Sequence, residues 1–94
     1  MTIMGLNFVK TCPACPEQYD VFDSTGKQVG YVRLRWGRLR CDYPKAGAET
    51  IYLSPVTSNT RFIGHFDSEE QRQYYLNLVA NSILTYIELN KENR

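Results

Sequence analysis

Hydrophobic and polar residues alternate along the first two thirds of the chain, and hydrophobic residues recur at helical spacing in the last third. Because strand side chains point alternately to the two faces of a sheet, alternation predicts half-buried strands. The alternating stretches are 3–9, 18–23, 28–35, 38–42, 50–54 and 61–66. We expect four to five of these six stretches to pair in one antiparallel sheet, with 3–9 as a candidate edge strand and turns at the glycine- and proline-containing connections.

The last third of the chain predicts one long helix over about residues 68–90. Asp67 with Glu70, or Ser68 with Gln71, has the spacing of a capping box, and neither Gly nor Pro follows. One apolar stripe at helical spacing is expected to pack on the sheet, and it consists of Leu76, Val79, Ala80, Ile83 and Ile87. A stripe of this kind requires an apolar surface on another element.

A run of strands followed by one helix defines the fold class. It predicts a single α+β domain over residues 1–94, with the C-terminal helix on one face of the antiparallel sheet and the other face open. Besides the helical stripe, the core is expected to contain Leu34, Leu39 and Phe62. A second helix face is predicted to cover either the N-terminal segment or a second copy of the chain in a homodimer, through Tyr74, Leu78 and Leu89.

The stretch from Tyr31 to Asp42 predicts a hairpin with a tight turn at Trp36-Gly37. This turn sets four couples of residues opposite each other: Arg35 with Arg38, Leu34 with Leu39, Arg33 with Arg40, and Val32 with Cys41. Since side chains alternate, the apolar members point inward and all four arginines point to the open face. Like charges set opposite each other destabilise a sheet, so this register favours a nearby anion from the chain itself, an acidic partner or a phosphate.

The hairpin that precedes it has two alternative registers. A short connection ending at Gly26 joins its strands. An uninterrupted ladder would bring Tyr19 and Tyr31 to the same side of the sheet as the arginines. A β-bulge at Gly30 would instead turn Val29 to the inner face, and we expect this second arrangement.

Composition limits the classes of function. The chain has 94 residues, enough for one modest core, and a net charge of +1. The arginine cluster is therefore a local feature, unlike the global basicity of most nucleic-acid binders. No secretory leader or apolar run of membrane-spanning length occurs, which predicts a cytoplasmic protein. We expect no enzymatic activity, because His65 has no nucleophile in a known motif and no phosphate-binding glycine loop is present.

Three cysteines and one histidine raise the question of a metal. Cys12 and Cys15 have the spacing of a zinc knuckle, and Cys41 and His65 would complete four ligands. The predicted faces oppose this site, since Cys41 points inward and His65 outward. A redox pair at Cys12 and Cys15 is opposed as well, because Pro16 and a strand follow rather than a helix. We expect unliganded cysteines and no cofactor, with a zinc-stabilised domain as the alternative.

The open face predicts binding rather than catalysis, because Arg, Tyr and Trp are enriched at interaction hot spots. We expect a small non-enzymatic module that engages an acidic surface of a protein partner, such as an accessory or inhibitor protein of a bacterium or phage. The expected contact residues are Tyr19, Tyr31, Arg33, Arg35, Trp36, Arg38, Arg40 and Arg61.

Two alternatives for the arginine cluster stay open. In the first, the arginines contact nucleic-acid phosphates while Tyr31 or Trp36 stacks on a base. In the second, they form a solvated surface that acidic residues of the same chain neutralise, the candidates being Asp20, Asp42 and Glu49.

Overall fold

The computed structural model describes residues 1–11, 17–56 and 66–92. They form six antiparallel strands and one helix: β1 Thr2–Ile3, β2 Leu6–Lys10, β3 Gln18–Phe22, β4 Gln28–Arg35, β5 Arg38–Tyr43, β6 Glu49–Pro55 and α1 Glu69–Glu92. Each strand pairs with the next one in sequence, so the sheet is a meander in the order β1-β2-β3-β4-β5-β6. The predicted α+β class is confirmed, with six strands rather than four to five.

The additional strand comes from the N-terminal stretch. The sequence predicts one strand over 3–9, whereas the chain turns back at Met4 and Gly5 so that β1 pairs with β2. Both turn residues have positive φ, 54° and 80°, as a two-residue type I′ hairpin turn requires. Ile3 and Leu6 pair across the turn and are both buried. The single alternating stretch is therefore two short strands joined by a turn.

A bulge in β4 decides the register of the first long hairpin. Gly30 pairs with Val21, and Val29 is the extra residue without a cross-strand partner. Val29 is buried on the side of the sheet that α1 covers, which confirms the expected bulge. With this register Tyr19 pairs with Val32 and lies in the core beneath the helix. The prediction that Tyr19 lies beside the arginines is therefore wrong.

The helix begins with one of the two predicted capping boxes. Ser68 Oγ accepts a hydrogen bond from the Gln71 backbone N–H at 3.1 Å, and Gln71 Oε1 accepts one from the Asp67 backbone N–H at 2.7 Å. These bonds satisfy donors that an open helix end would leave unpaired. The observed start at Glu69 is within one residue of the predicted start.

The core lies between α1 and one face of the sheet. The helical stripe and buried residues of β1 to β5 form one cluster. Its fully buried members include Phe8, Val32, Leu39, Leu76, Val79 and Ile83. Leu34 is buried as predicted, and Ile87 is partly buried against the same cluster. Of the predicted strand over 61–66, residues 61–65 including Phe62 lie outside the described residues, and Phe66 is buried.

The helix approaches the sheet closely at Gly30. A Cβ atom at this position would lie 2.9 Å from Cδ1 of Ile83, a distance that real Cβ atoms essentially never show. Glycine thus leaves the space that Ile83 occupies. This contact lies in the middle of the interface between α1 and the sheet.

The second helix face is uncovered. Tyr74, Leu78 and Leu89 are all exposed, so the N-terminal strands do not cover them. A second copy of the chain on this face stays a prediction. Within the described ranges, no helix combines the length and apolar character needed to cross a membrane.

Candidate functional site

The arginine hairpin has the predicted turn and register. Trp36 and Gly37 are its two turn residues, with φ of 54° and 74°, which is the backbone of a type I′ turn. All predicted couples form, including Arg35 with Arg38 and Arg33 with Arg40. Asn or Gly is usual at the first position of such a turn, because a side chain there adopts the left-handed region. Turn geometry therefore does not explain the presence of tryptophan.

The four arginines form two rows on the open face of the sheet. Neighbours within a row lie on adjacent strands, at a Cα separation of about 5 Å, and the rows are about 7 Å apart along the strands. The rows continue onto β6, where Arg40 pairs with Leu53 and Arg38 with Pro55. Six residues line one open concavity of about 630 Å³, and we call them the arginine face: Arg33, Arg35, Trp36, Arg38, Arg40 and Leu53.

Two apolar side chains of the arginine face are displayed to solvent. Trp36 is 67% exposed and Leu53 is 59% exposed. Sequence reasoning missed Leu53, because the stretch 50–54 does not by itself show which of its residues share a face with the arginines. The signal lies in the register: a bulge at Ile51 in β6 sets Leu53, rather than a neighbour, opposite Arg40.

One of the four arginines is neutralised by the chain. Arg40 Nη2 lies 3.4 Å from Oδ2 of Asp42, whose side chain is buried. The Asp42 carboxylate also accepts hydrogen bonds from the Gly47 backbone N–H at 3.0 Å and from Thr50 Oγ1 at 2.8 Å. Because these groups fix the carboxylate, the Arg40 side chain has a defined anchor.

The other acidic candidates do not neutralise the arginine face. Asp20 accepts a hydrogen bond from Gln28 Nε2 at 3.1 Å. Glu49 lies beside Tyr86, and the hydrogen bond between them raises the pKa of the tyrosine. In the part of the chain that the structure describes, no ion pair involves the three remaining arginines, Arg33, Arg35 and Arg38. The solvated-surface alternative therefore holds for Arg40 only.

The next row of the open face has the opposite character. It consists of Asp20, Tyr31 and Asp42, which pair across β3, β4 and β5. Tyr31 is largely buried, and its hydroxyl oxygen accepts a hydrogen bond from Gln18 Nε2. Tyr31 therefore lies on the predicted face but offers little surface to a partner. The arginine rows end abruptly at a row that carries two carboxylates.

The remaining predicted site residues are distributed elsewhere. Cys41 lies in the core, where burial raises the pKa of its thiol to about 12. Arg61, and the zinc candidates Cys12, Cys15 and His65, lie outside the described residues. Among the described residues, no group of three or more His, Cys, Asp and Glu side chains is placed to hold a metal ion.

A buried ionic cluster was not predicted from the sequence. Glu17 is 2% exposed, and its carboxylate accepts hydrogen bonds from Arg72 Nε at 3.0 Å and from Tyr19 Oη at 2.7 Å. Burial raises the pKa of Tyr19 most, and the neighbouring Glu17 carboxylate raises it further. One signal was present in the sequence, since Arg72 lies one turn before Leu76 on the sheet-facing stripe of the helix. The cluster fastens the start of α1 to β3.

Comparisons of the chain with protein-family models, with curated proteins and with solved structures gave no match.

Proposed function

We propose that the chain is a small, non-enzymatic cytoplasmic binding module whose arginine face engages an acidic surface of a partner protein. One observation supports this function above all: three arginines without an ion pair among the described residues lie beside two exposed apolar side chains. Arginine and tryptophan dominate interaction hot spots, because they combine large contact area with directional hydrogen bonding. By covering its partner's surface, such a module acts as an accessory or inhibitory protein.

The size of the arginine face favours a protein partner over nucleic acid. A duplex carries one negative charge per about 1.7 Å of its axis, so a phosphate backbone extends well beyond two short rows of arginines. Along the strands it would meet the partly exposed carboxylate of Asp20, whereas the Asp42 carboxylate is buried and paired with Arg40. The net charge of +1 gives no long-range attraction to a polyanion. A compact group of carboxylates avoids both difficulties.

Charge reversal at the end of the hairpin tests this function. Arg35 and Arg38 are the suitable pair, since both are exposed and neither anchors a buried carboxylate, unlike Arg40. In the double variant Arg35→Glu/Arg38→Glu, charge-assisted hydrogen bonds worth about 1.5–3 kcal/mol each are lost and like charges meet. The matched control, Lys27→Glu/Lys91→Glu, makes the same change in net charge at exposed positions away from the arginine face.

The assay is affinity capture with the tagged chain from nuclease-treated extract of the cells that produce it. We expect the wild-type chain and the lysine control to capture the same protein in similar amounts. The arginine variant should capture at least tenfold less of it. Circular dichroism checks that both variants keep their structure. Equal capture by both double variants would contradict the proposed function, and loss of capture on nuclease treatment would favour nucleic acid.

A further inference from the structure

Building on the proposed function, we propose that the partner's acidic segment carries a large apolar side chain that packs between Trp36 and Leu53 while its carboxylates meet the arginines. The occupant is thus an acidic peptide segment of a protein, with glutamates or aspartates on both sides of one large apolar residue. Three properties of the arginine face support this inference. It is concave, its arginines fill only two rows, and two of its lining side chains are apolar and exposed.

The site is a shallow, open concavity of about 630 Å³. Trp36 lines it at the turn between β4 and β5, Leu53 lines it on β6, and the four arginines of β4 and β5 line the rest. Both apolar side chains keep most of their surface in water. A single exposed leucine is common on protein surfaces. Two large exposed apolar side chains that line the same concavity form a binding site in which an apolar side chain of a partner contacts both.

The charge boundary limits how many carboxylates the site accepts. Arginines fill two rows only, about 7 Å apart, and the third row has no arginine. It carries the partly exposed Asp20 and the buried Asp42, which is paired with Arg40. A long run of acidic residues would extend past the arginines and meet the like charge of Asp20. A short cluster of acidic side chains matches the rows, and further binding free energy must then come from apolar contact.

An apolar side chain in the concavity also strengthens the charged contacts. Water that surrounds the guanidinium groups weakens their attraction to carboxylates, and an apolar neighbour that excludes this water removes part of the screening. Arg33, Arg35 and Arg38 gain most, because no carboxylate of the described residues already forms an ion pair with them. The apolar contact and the arginines therefore act together.

Synthetic peptides test the inference on the whole chain. The first probe has several glutamates on both sides of one phenylalanine, the second has alanine in place of phenylalanine, and the third has glutamine in place of glutamate. An oligothymidylate of matched length is the fourth probe. Binding is followed by NMR through the indole signal of Trp36 and the methyl signals of Leu53. We expect the first peptide to bind about tenfold more tightly than the second, because it buries one large apolar side chain. We expect a similar advantage over the third, because that peptide lacks the charged hydrogen bonds to the arginines.

Two leucine variants separate apolar contact from charge. Leu53→Ser should abolish the preference for phenylalanine over alanine. The control Leu89→Ser changes an exposed leucine on α1, away from the arginine face, and should leave this preference intact. Equal binding of the first two peptides, or an unchanged preference in Leu53→Ser, would overturn this inference and leave the proposed function standing. Absence of binding by all three peptides would also overturn it. Unchanged peptide binding by Arg35→Glu/Arg38→Glu, or tighter binding of the oligothymidylate at equal salt, would overturn both.

Discussion

Gly30 shows how a single residue fixes the distance between helix and sheet. Replacing it with alanine places a methyl group within 2.9 Å of Cδ1 of Ile83, which is fully buried and has little room to move. Crowding of this kind in a packed core costs about 1–3 kcal/mol. We therefore expect Gly30→Ala to lower the free energy of unfolding by that amount, as measured by urea denaturation.

Removal of the crowding atom supplies the control. Ile83→Val deletes the Cδ1 methyl group that the new side chain would meet. In the Ile83→Val background, Gly30→Ala should cost clearly less than in the wild type, so that the two changes are not additive. If the losses in free energy of unfolding simply add in the double variant, the destabilisation by Gly30→Ala does not come from contact with Cδ1 of Ile83.

The buried thiol of Cys41 predicts how stability depends on pH. Burial raises its pKa to about 12 in the folded chain, while an unfolded cysteine titrates near about 8.5. Between these values the unfolded chain has lost the proton that the folded chain still holds. The contribution of Cys41 is therefore complete below pH about 8.5 and is lost progressively as the pH rises toward 12.

The measurement is the free energy of unfolding across the alkaline range. We expect it to fall above pH about 9 in the wild type and to fall less steeply in Cys41→Ala, once the lower starting stability of that variant is subtracted. The raised pKa of Tyr19 contributes to the same decline, so some slope persists in the variant. An identical slope in both proteins would mean that Cys41 is not the group responsible.

At the scale of elements, the link between Glu17 and Arg72 holds the first turn of the helix on the sheet. Replacing Arg72 with methionine leaves the buried carboxylate of Glu17 without its cationic partner. Breaking a buried pair in this way costs about 3–5 kcal/mol. We expect Arg72→Met to lower the midpoint of urea denaturation accordingly.

The double variant Glu17→Gln/Arg72→Met distinguishes loss of the pair from loss of packing. With the carboxylate removed, no unpaired buried charge is left, so the double variant should recover a large part of the stability lost by Arg72→Met. Stability no better than that of the single variant would show that Arg72 acts through packing of its side chain alone.

The sequence predicted correctly the elements whose start, end and buried face are all marked by residues within the element. The helix has a cap, a stripe and no interruption, and the arginine hairpin has a strict alternation about one turn. The N-terminal hairpin was missed because Met4 does not mark a left-handed turn position. The partnership of Glu17 with Arg72 joins residues 55 positions apart, and no local pattern in a single sequence specifies such a pair.

For the candidate site, the sequence predicted the register of the four hairpin arginines and the turn at Trp36 correctly, and it failed where burial depends on distant register. Tyr19 faces the helix because of the bulge at Val29, and Tyr31 is covered through its contact with Gln18. Leu53 entered the site only through the pairing of β6 with β5. Alternation gives the face of a strand, whereas cross-strand register decides which residues on that face are neighbours.

At the scale of the whole molecule, salt separates the two components of binding. The effect of Arg35→Glu/Arg38→Glu on partner affinity should shrink as salt rises, because the screening length falls from about 10 Å at 0.1 M to about 3 Å at 1 M. The effect of Trp36→Ala, which removes apolar contact, should stay nearly constant. Isothermal titration at several salt concentrations measures both, and a strong salt dependence of the Trp36→Ala effect would contradict this assignment.

The order of the elements along the chain has a consequence for synthesis of the protein. Strands of the meander leave the ribosome in the order in which they pair, so the hairpins can close one after another through contacts of short sequence separation. The helix that covers their apolar face emerges after all of the described strands. Until then the nascent sheet exposes Val32, Leu39 and their neighbours to water, a surface that chaperones recognise and that aggregates if translation stalls. Packing of the helix on this face then removes the apolar surface of the sheet from water.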